Sequence, residues 1–459
     1  MPERLPVDQS YRRFLIAALL AIAYFGTAKL GLRLAFVNAS ATAVWPPTGI
    51  ALAALLVYGY ELWPGVFVGA FAANLLTAGD AATSFGIAAG NTLEALAGAW
   101  LVNRYAGGAH AVRRSRDIVT MAILAGCIST TISPAIGVTS LALRGFAAWK
   151  DYGAIWTTWW LGDCAGSLVV APALLVWYAQ PMVRWTRAQS IEALGLFGAL
   201  VLLCVALFDG VVPQSATNYP VDVLFVPVLL WVAYRFGPRE SATAVLVLSA
   251  FALQGTLHGF GPFAGRAPNA ALLALQLFLG VASLMSLAFG AVVAERRAAE
   301  EALHRLAVTD PLTGLANYRE FTALLDVEIA RSSRTGRPFS VLFLDLDHLK
   351  EINDRRGHLA GSRAIRRVAD ALRATCRTID TAARIGGDEF AVILPESGSA
   401  TARLLFARVC ANLAVDPRDE RVTASAGFAE HPSDGATAEA VLLEADRLLY
   451  NAKASRRVA

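Results

Sequence analysis

The chain reads as a polytopic α-helical membrane region followed by a smaller α/β domain, and three observations lead there. Of its 459 residues, 56% are hydrophobic, and the mean hydropathy is +0.50. Only 17% are charged, well below the ~25% of soluble domains. The charge is also segregated: long apolar runs fill the chain to about residue 290, whereas from Glu295 onward charged residues recur every few positions. The net charge of +4 is small for this length and implies no nucleic-acid partner. Cys127, Cys164, Cys204, Cys376 and Cys410 are scattered without paired spacing, which excludes a zinc motif and a disulfide framework.

The first apolar run, Phe14 to Ala28, follows Arg12-Arg13 and has no A-x-A site after it, so it reads as an uncleaved first span. Further runs lie near Gly49 to Tyr58, Trp63 to Leu76, Phe85 to Val102, Ile118 to Leu143, Ala154 to Tyr178, Ile191 to Phe208, Val221 to Tyr234, Ala242 to Leu257 and Ala270 to Val293. That makes about ten spans, or eight if one short pair is broken, because the second and third fall short of the ~20 residues a spanning helix needs. With ten, one side collects Arg12-Arg13, the arginines of 104–116, Arg184 with Arg187, Arg235 with Arg239, and Arg296-Arg297. The positive-inside rule makes that side cytoplasmic and puts both termini inside.

Glu94 and Asp163 lie within apolar stretches, with Asn91 and Trp45 as further polar candidates. Charge at membrane depth is costly, so these groups face the bundle interior, as a small-ligand pocket or as helix-to-helix hydrogen-bond partners. Trp45-Pro46-Pro47-Thr48-Gly49-Ile50, Leu62-Trp63-Pro64-Gly65, and Trp160-Leu161-Gly162-Asp163 through Ala171-Pro172 resemble the bacterial membrane-associated sensor domain of the MASE type. The resemblance implies an integral-membrane sensory module over residues 1–293 and names no ligand. A transporter is the rival, but no internal repeat supports it.

Residues 294–308 form a linker rich in helix formers, with Ala299, Ala302, Leu303 and Leu306 at i, i+3, i+4 and i+7. It reads as a helix that leaves the last span and pairs with its copy, or as a solvated amphipathic linker.

From residue 309 to 459 strands and helices alternate. Asp310 to Asn317 is a turn entering a helix that runs to about Ser332, and Phe339 to Leu346 is a buried strand. Helices near Leu349 to Asn353 and Gly361 to Arg377 follow. Then comes Arg384-Ile385-Gly386-Gly387-Asp388-Glu389-Phe390, expected to be a tight hairpin whose two glycines supply positive φ. A helix near Ala400 to Leu413, a strand Val422 to Phe428 and a helix Ala438 to Ala454 complete the pattern. If the first strand lies beside the hairpin, Asp345 and Glu389 meet at one rim, where carboxylates hold divalent ions that bridge triphosphate oxygens. The following His348-Leu349-Lys350 opens a helix whose amides and ammonium suit phosphates.

Asp310 to Asn317, Asp345 to Asp354, Gly357-His358, Arg384 to Phe390 and Leu449-Tyr450-Asn451-Ala452-Lys453, in this order and spacing, resemble the GGDEF family of diguanylate cyclases. The resemblance implies a nucleotide-cyclase, polymerase-palm-like fold with a ferredoxin-like core. It implies one GTP per subunit, joined across a homodimer into cyclic di-GMP, with Mg²⁺ or Mn²⁺ as two ions per site. Asp345, Glu389 and the Leu346 carbonyl become metal ligands, and Asp388 the acid nearest the reacting 3′-hydroxyl. Gly386 and Gly387 admit the nucleotide, with His348 and Leu349 beside it. Lys350, Lys453 and Arg457 grip phosphates, and Asn353 reads guanine. Arg377-Thr378-Ile379-Asp380 matches the family's inhibitory R-x-x-D site for product. A catalytically silent nucleotide receptor is the rival reading, against which the intact Asp345, Lys350, Asp388 and Glu389 count. Two positions depart from the pattern: Ser362 stands where the family has Asp contacting guanine, and Arg456 where it tends to have Gly. A hydroxyl both accepts from adenine N6 and donates to N1, so Ser362 admits cyclic GMP-AMP as a further product.

Overall fold

The computed structural model describes residues 9–33, 44–78, 80–183, 185–211, 221–414 and 422–458. The chain divides into two compact units, Met1–Arg297 and Ala298–Ala459.

Among its described residues the first unit is helical: α1 (Gln9–Arg33), α2 (Pro46–Tyr58), α3 (Trp63–Ala78), α4 (Ala81–Tyr105), α5 (Ser115–Met121), α6 (Ile132–Leu143), α7 (Tyr152–Ala179), α8 (Arg187–Phe208), α9 (Phe225–Arg235), α10 (Pro238–Leu257) and α11 (Pro268–Val308). The boundary between the units falls inside α11. All ten apolar runs of the sequence are helical. Among the described residues, seven helices are long and apolar enough to cross a membrane: α1, α4, the α5–α6 run, α7, α8, α10 and α11. α2, α3 and α9 have only 13, 16 and 11 residues.

Local chemistry explains the helix ends. Asp80 caps α4 by accepting from the Thr83 amide at 2.7 Å, and Thr186 with Gln189 forms a reciprocal capping box on α8. Between α5 and α6 the helix widens into a π turn over Ala122–Ile128. There α7 supplies donors to the displaced carbonyls, Trp160 Nε1 to Cys127 at 2.9 Å and the Ser167 hydroxyl to Ala125 at 3.2 Å. Among the described residues three apolar clusters result, the smallest around Ile87, Val138, Leu141 and Trp159. Of the two larger, one joins α1 to α7 around Tyr24, Leu52, Leu55 and Val66, and the other joins α7 to α11 around Leu200, Phe208, Phe225 and Leu248.

The second unit is built on β1 (Phe339–Leu346), β2 (Thr381–Arg384), β3 (Glu389–Leu394) and β4 (Ala424–His431), in the order β2-β3-β1-β4 with every pair antiparallel. Its helices are α12 (Tyr318–Thr335), α13 (Leu349–Arg356), α14 (His358–Thr375), α15 (Ser399–Ala414) and α16 (Ala438–Val458). Alternate residues of the central strand serve opposite faces: Leu342, Leu344 and Leu346 pack with α14 and α15, whereas Val341 packs with α12 and α16. Such a two-sided strand is expected to be largely apolar, and β1 is so apart from the buried Ser340 and Asp345.

The hairpin differs from expectation. Arg384 still pairs with Phe390, but Ile385 to Asp388 form a four-residue loop in which neither Gly386 nor Gly387 takes positive φ. A longer loop reverses the chain without left-handed residues. Gly386 instead lies under the Glu389 side chain: a Cβ there would be 2.4 Å from its carboxylate, so a larger residue would make Glu389 swing aside.

The turn Asp310–Asn317 is fastened to this hairpin. Asp310 accepts from the Thr313 amide at 2.9 Å and hydroxyl at 2.6 Å, and from Arg384 at 3.1 Å, while Arg384 also donates to the Gly387 carbonyl at 2.7 Å. Burial by itself would raise the Asp310 carboxyl, but the Thr313 donors and the Arg384 guanidinium outweigh it and hold the group below its ordinary range. A depressed carboxylate contributes stability above its unfolded pKa, about 4, and loses it as pH falls through the folded value. Asp310→Asn should therefore destabilise the second unit by about 1.5 to 3 kcal/mol at neutral pH and by little in strong acid, read by urea unfolding across pH.

Candidate active site

Antiparallel register puts Asp345, near the end of β1, directly opposite Glu389, the first residue of β3. The Leu346 amide donates to the Asp388 carbonyl at 2.9 Å, which continues the pairing one step past the strand and holds Asp388 at the same rim. Asp345 is buried, Asp388 half-buried and Glu389 exposed. Desolvation is the main reason the Asp345 carboxyl is raised, with the charges of Asp388 and Glu389 adding to it and Lys453 opposing it.

Lys453 is the counter-charge: its Nζ lies 2.5 Å from Asp345 Oδ2. It comes from α16, which lies so close on β4 that a Cβ at Gly427 would sit 2.0 Å from the Ala445 carbonyl. Only glycine permits that approach, and the approach carries Lys453 to the sheet end. Breaking such a pair from one side leaves the other charge uncompensated, at a cost of about 3 to 5 kcal/mol when buried. Lys453 is about a third exposed, so its loss would cost less. Arg457 lies on α16, and its side chain falls outside the described residues.

Among the described residues no set of three or more His, Cys, Asp and Glu side chains is arranged to hold a metal ion. The donors that fit a hard divalent cation are fewer: Asp345 and Glu389 facing across one rung, with the Leu346 main-chain oxygen next in line. Mutual repulsion among the rim acids is the condition that a bound cation relieves.

Beyond β1 the chain turns through His348, whose φ of 60° is left-handed, into α13. His348 Nδ1 lies 2.9 Å from Glu351 Oε1, Lys350 is exposed on the first turn, and Leu349 is half-buried. Asn353 lies against Gly361, the residue before Ser362, at the corner between α13 and α14: a Cβ on Gly361 would lie 2.1 Å from Asn353 Oδ1. That oxygen is buried without a hydrogen-bond partner, and Ser362 is half-buried.

Arg377 and Asp380 form a separate turn in which Asp380 Oδ2 accepts from the Arg377 amide at 2.7 Å. Asp380 Oδ1 is buried and unpartnered. The turn borders two cavities of about 440 Å³ each, one shared with Thr401 and Arg408, the other with Gly314 and Arg373. Burial, reinforced by the Asp380 charge, pushes the neighbouring Cys376 thiol up to about 12, so it stays protonated.

The rim thus gathers Asp345, Asp388, Glu389 and Lys453, with Gly386 against Glu389. His348, Leu349, Lys350, Asn353 and Ser362 lie on the segment that follows β1. Trp45, Asn91, Glu94 and Asp163 belong to the first unit. Sequence reasoning overlooked Arg384 as the partner of Asp310. The signal was available in an arginine at the base of the hairpin and a lone aspartate opening a turn, but no local spacing joins positions so far apart.

Comparison with known proteins follows this division. Residues 15–297 match the family described as MASE1, and residues 307–458 that described as diguanylate cyclase, GGDEF domain. The bifunctional diguanylate cyclase/cyclic di-GMP phosphodiesterase MucR of Pseudomonas aeruginosa is 28% identical over 323 residues, 69% of this chain and 43% of that protein. Diguanylate cyclase DgcS of Shewanella oneidensis is 38% identical over 153 residues, 33% of this chain and 51% of that protein. Among solved structures, the coiled coil and GGDEF domain of DgcB from Caulobacter crescentus in complex with c-di-GMP is 32% identical, covers 36% of this chain and 90% of that one, and superposes with a TM-score of 0.34. The chain spans about half or less of the length of these curated relatives. It belongs to the MASE1 family of membrane sensor domains, and a diguanylate cyclase GGDEF domain follows its membrane region.

Proposed function

We propose that the chain is a membrane-bound sensor diguanylate cyclase that condenses two GTP into cyclic di-GMP with release of pyrophosphate. The observation that carries this reading is the Asp345–Glu389 rung with Asp388 beside it and Lys453 on Asp345. Residues 1–293 serve as sensor, 294–308 as signalling helix and 309–459 as cyclase. The protein sits in a bacterial inner membrane with both termini and the cyclase in the cytoplasm, in keeping with the arginine-rich loops.

In this reading Asp345, Glu389 and the Leu346 carbonyl hold Mg²⁺ or Mn²⁺, two ions per site. Bound there, the ions neutralise charge on the triphosphate and lower the cost of in-line attack. Asp388 lies nearest the 3′-hydroxyl and takes its proton as the hydroxyl attacks the α-phosphate of the facing GTP. Gly386 and Gly387 leave the hairpin open to nucleotide, with His348 and Leu349 alongside. Lys453 moves from Asp345 to phosphate, joined by Lys350 and Arg457. Each subunit brings one GTP, so the working unit is a homodimer through the cyclase domains and the linker helix. Leu303 and Leu306, each 67% exposed on that helix, supply an apolar stripe for pairing. Arg377 and Asp380 bind product as an inhibitor, with the unpartnered Asp380 oxygen available to guanine donors. In the membrane unit Trp45, Asn91, Glu94 and Asp163 form the sensing pocket.

A second reading rests on Ser362. The free Asn353 Oδ1 suits the N1 and N2 donors of guanine, but the Ser362 hydroxyl accepts and donates and so tolerates adenine. The enzyme then makes cyclic GMP-AMP as well.

Purified residues 295–459, dimerised and given GTP, ATP and Mg²⁺, should form a cyclic dinucleotide, and Asp345→Asn or Glu389→Gln should reduce it to background. No product from the unaltered protein would leave the silent-receptor reading standing. Ser362→Asp should raise the ratio of cyclic di-GMP to cyclic GMP-AMP by roughly ten- to a hundred-fold, the effect of a charge-assisted bond of ~1.5 to 3 kcal/mol. Arg377→Ala should leave the initial rate unchanged and raise the plateau that accumulated product imposes, as followed by pyrophosphate release.

A further inference from the structure

Four helical segments of the first unit bring unpaired polar groups to one buried place. Asp163 on α7 and Glu94 on α4 are 0% and 2% exposed. Asp163 Oδ1 accepts from the Thr48 hydroxyl at 2.9 Å, but Oδ2 has no partner, and neither oxygen of Glu94 has one. Thr48, Ser133 and Asp163 surround Glu94 without completing a hydrogen bond to it. The nearby hydroxyls are already committed, Thr48 to Asp163 and Ser133 to the Asn91 side-chain oxygen at 2.5 Å. The Tyr24 hydroxyl from α1 and the Trp45 indole N–H at the start of α2 are buried and unpartnered too. Tyr24 lies within electrostatic reach of both carboxylates and beside Trp45.

Two carboxylates held together away from water require a compensating positive charge. The titratable groups facing the pair are Tyr24 from α1, each carboxylate for the other, Cys164 from α7 and, beside Cys164, Cys127 from the π turn. α2 and α6 contribute Trp45, Thr48 and Ser133, which do not titrate, and none of these groups is basic. Space limits what else can enter. The Trp45 amide donates to the Gly162 carbonyl at 3.0 Å, and a Cβ on Gly166 would lie 2.0 Å from the Trp45 carbonyl, so α2 and α7 meet backbone to backbone. An ion fits this constraint better than an organic ligand.

We propose that Glu94 and Asp163 bind one small monovalent cation, either a proton shared between the carboxylates or an alkali-metal ion in its place. Thr48, Asn91 and Tyr24 are its neutral neighbours. The proposal deepens the sensing role of the membrane unit by naming a ligand class. Its test reads binding instead of product, so its failure is distinguishable from failure of the cyclase reading.

The full-length protein in lipid nanodiscs would be melted at constant ionic strength, with sodium, potassium or lithium replacing N-methylglucamine, over a range of pH. Wild type should show a saturable rise in melting midpoint, lost in both Glu94→Gln and Asp163→Asn. A response to one alkali ion identifies the metal, and a response to acidification alone identifies the proton. If the variants do not fold, infrared difference spectra of wild type on changing pH or cation should show a carboxylic-acid carbonyl band or a shifted carboxylate band. A wild type insensitive to both cation and pH, an unchanged response in both variants, or an infrared difference without a carboxyl signal would overturn the proposal.

Discussion

Three acids gather at one end of a small sheet, and the second unit is arranged around the repulsion this creates. Register sets Asp345 against Glu389, and the main-chain bond from Leu346 to Asp388 brings the third carboxylate in. Asp345 cannot escape into water, because the strand that carries it is buried between helices on both faces. Its compensation comes from the far end of the chain. Lys453 reaches the rim because α16 lies on β4 at a distance that only Gly427 allows. The C-terminal helix is thus an electrostatic component of the site as well as a layer of the fold.

The legibility of this arrangement in the sequence follows its physics. Phe339 to Leu346 is visible as a strand because burial on both faces favours a largely apolar run, here interrupted by Ser340 and closing on Asp345. Gly386-Gly387 marks the reversal, but not through positive φ: neither glycine adopts it, and the close neighbour is the Glu389 side chain over Gly386. Composition signals that glycine is needed without distinguishing a backbone angle from a missing side chain. The Asp310–Arg384 pair was illegible for a different reason. It joins a turn to a strand edge through tertiary placement, and one sequence contains no periodicity that records such a pairing.

The membrane unit reverses the balance. Its helices are plain in the hydropathy, and the costly residues Glu94 and Asp163 stand out against it. What hydropathy does not express is that they converge. Glu94 lies on α4 and Asp163 on α7, within electrostatic reach of each other and beside the place where α2 is held against α7 at Gly49 and Gly166. Small residues that permit backbone contact are normally read as packing. Here the same packing brings polar side chains together in the interior.

Within the second unit, the end of α11 is tied to the hairpin through short, directional bonds. The Asn317 amide donates to the Val308 carbonyl at 2.9 Å and its side-chain nitrogen to Ala307 at 2.8 Å, which occupies carbonyls that a helix end leaves open. From Asn317 the chain is one residue from Ala316, whose amide and carbonyl bond Ala382 and Arg384 of β2 at 3.2 and 2.9 Å. Arg384 then grips both Asp310 and the Gly387 carbonyl. Each link is a hydrogen bond with fixed geometry, and Arg384 is largely shielded from solvent, so the linkage tolerates little slack. A rotation of the helix end would have to move β2 and the Gly386-Gly387 loop with it or break charge-assisted bonds. The former is cheaper, because β2 has four residues and lies at the edge of the sheet, where β3 is its ladder partner and its other neighbour is the Ala316 bridge itself. The hairpin that bears Asp388 and Glu389 is therefore the part of the sheet most readily steered by the helix that enters it.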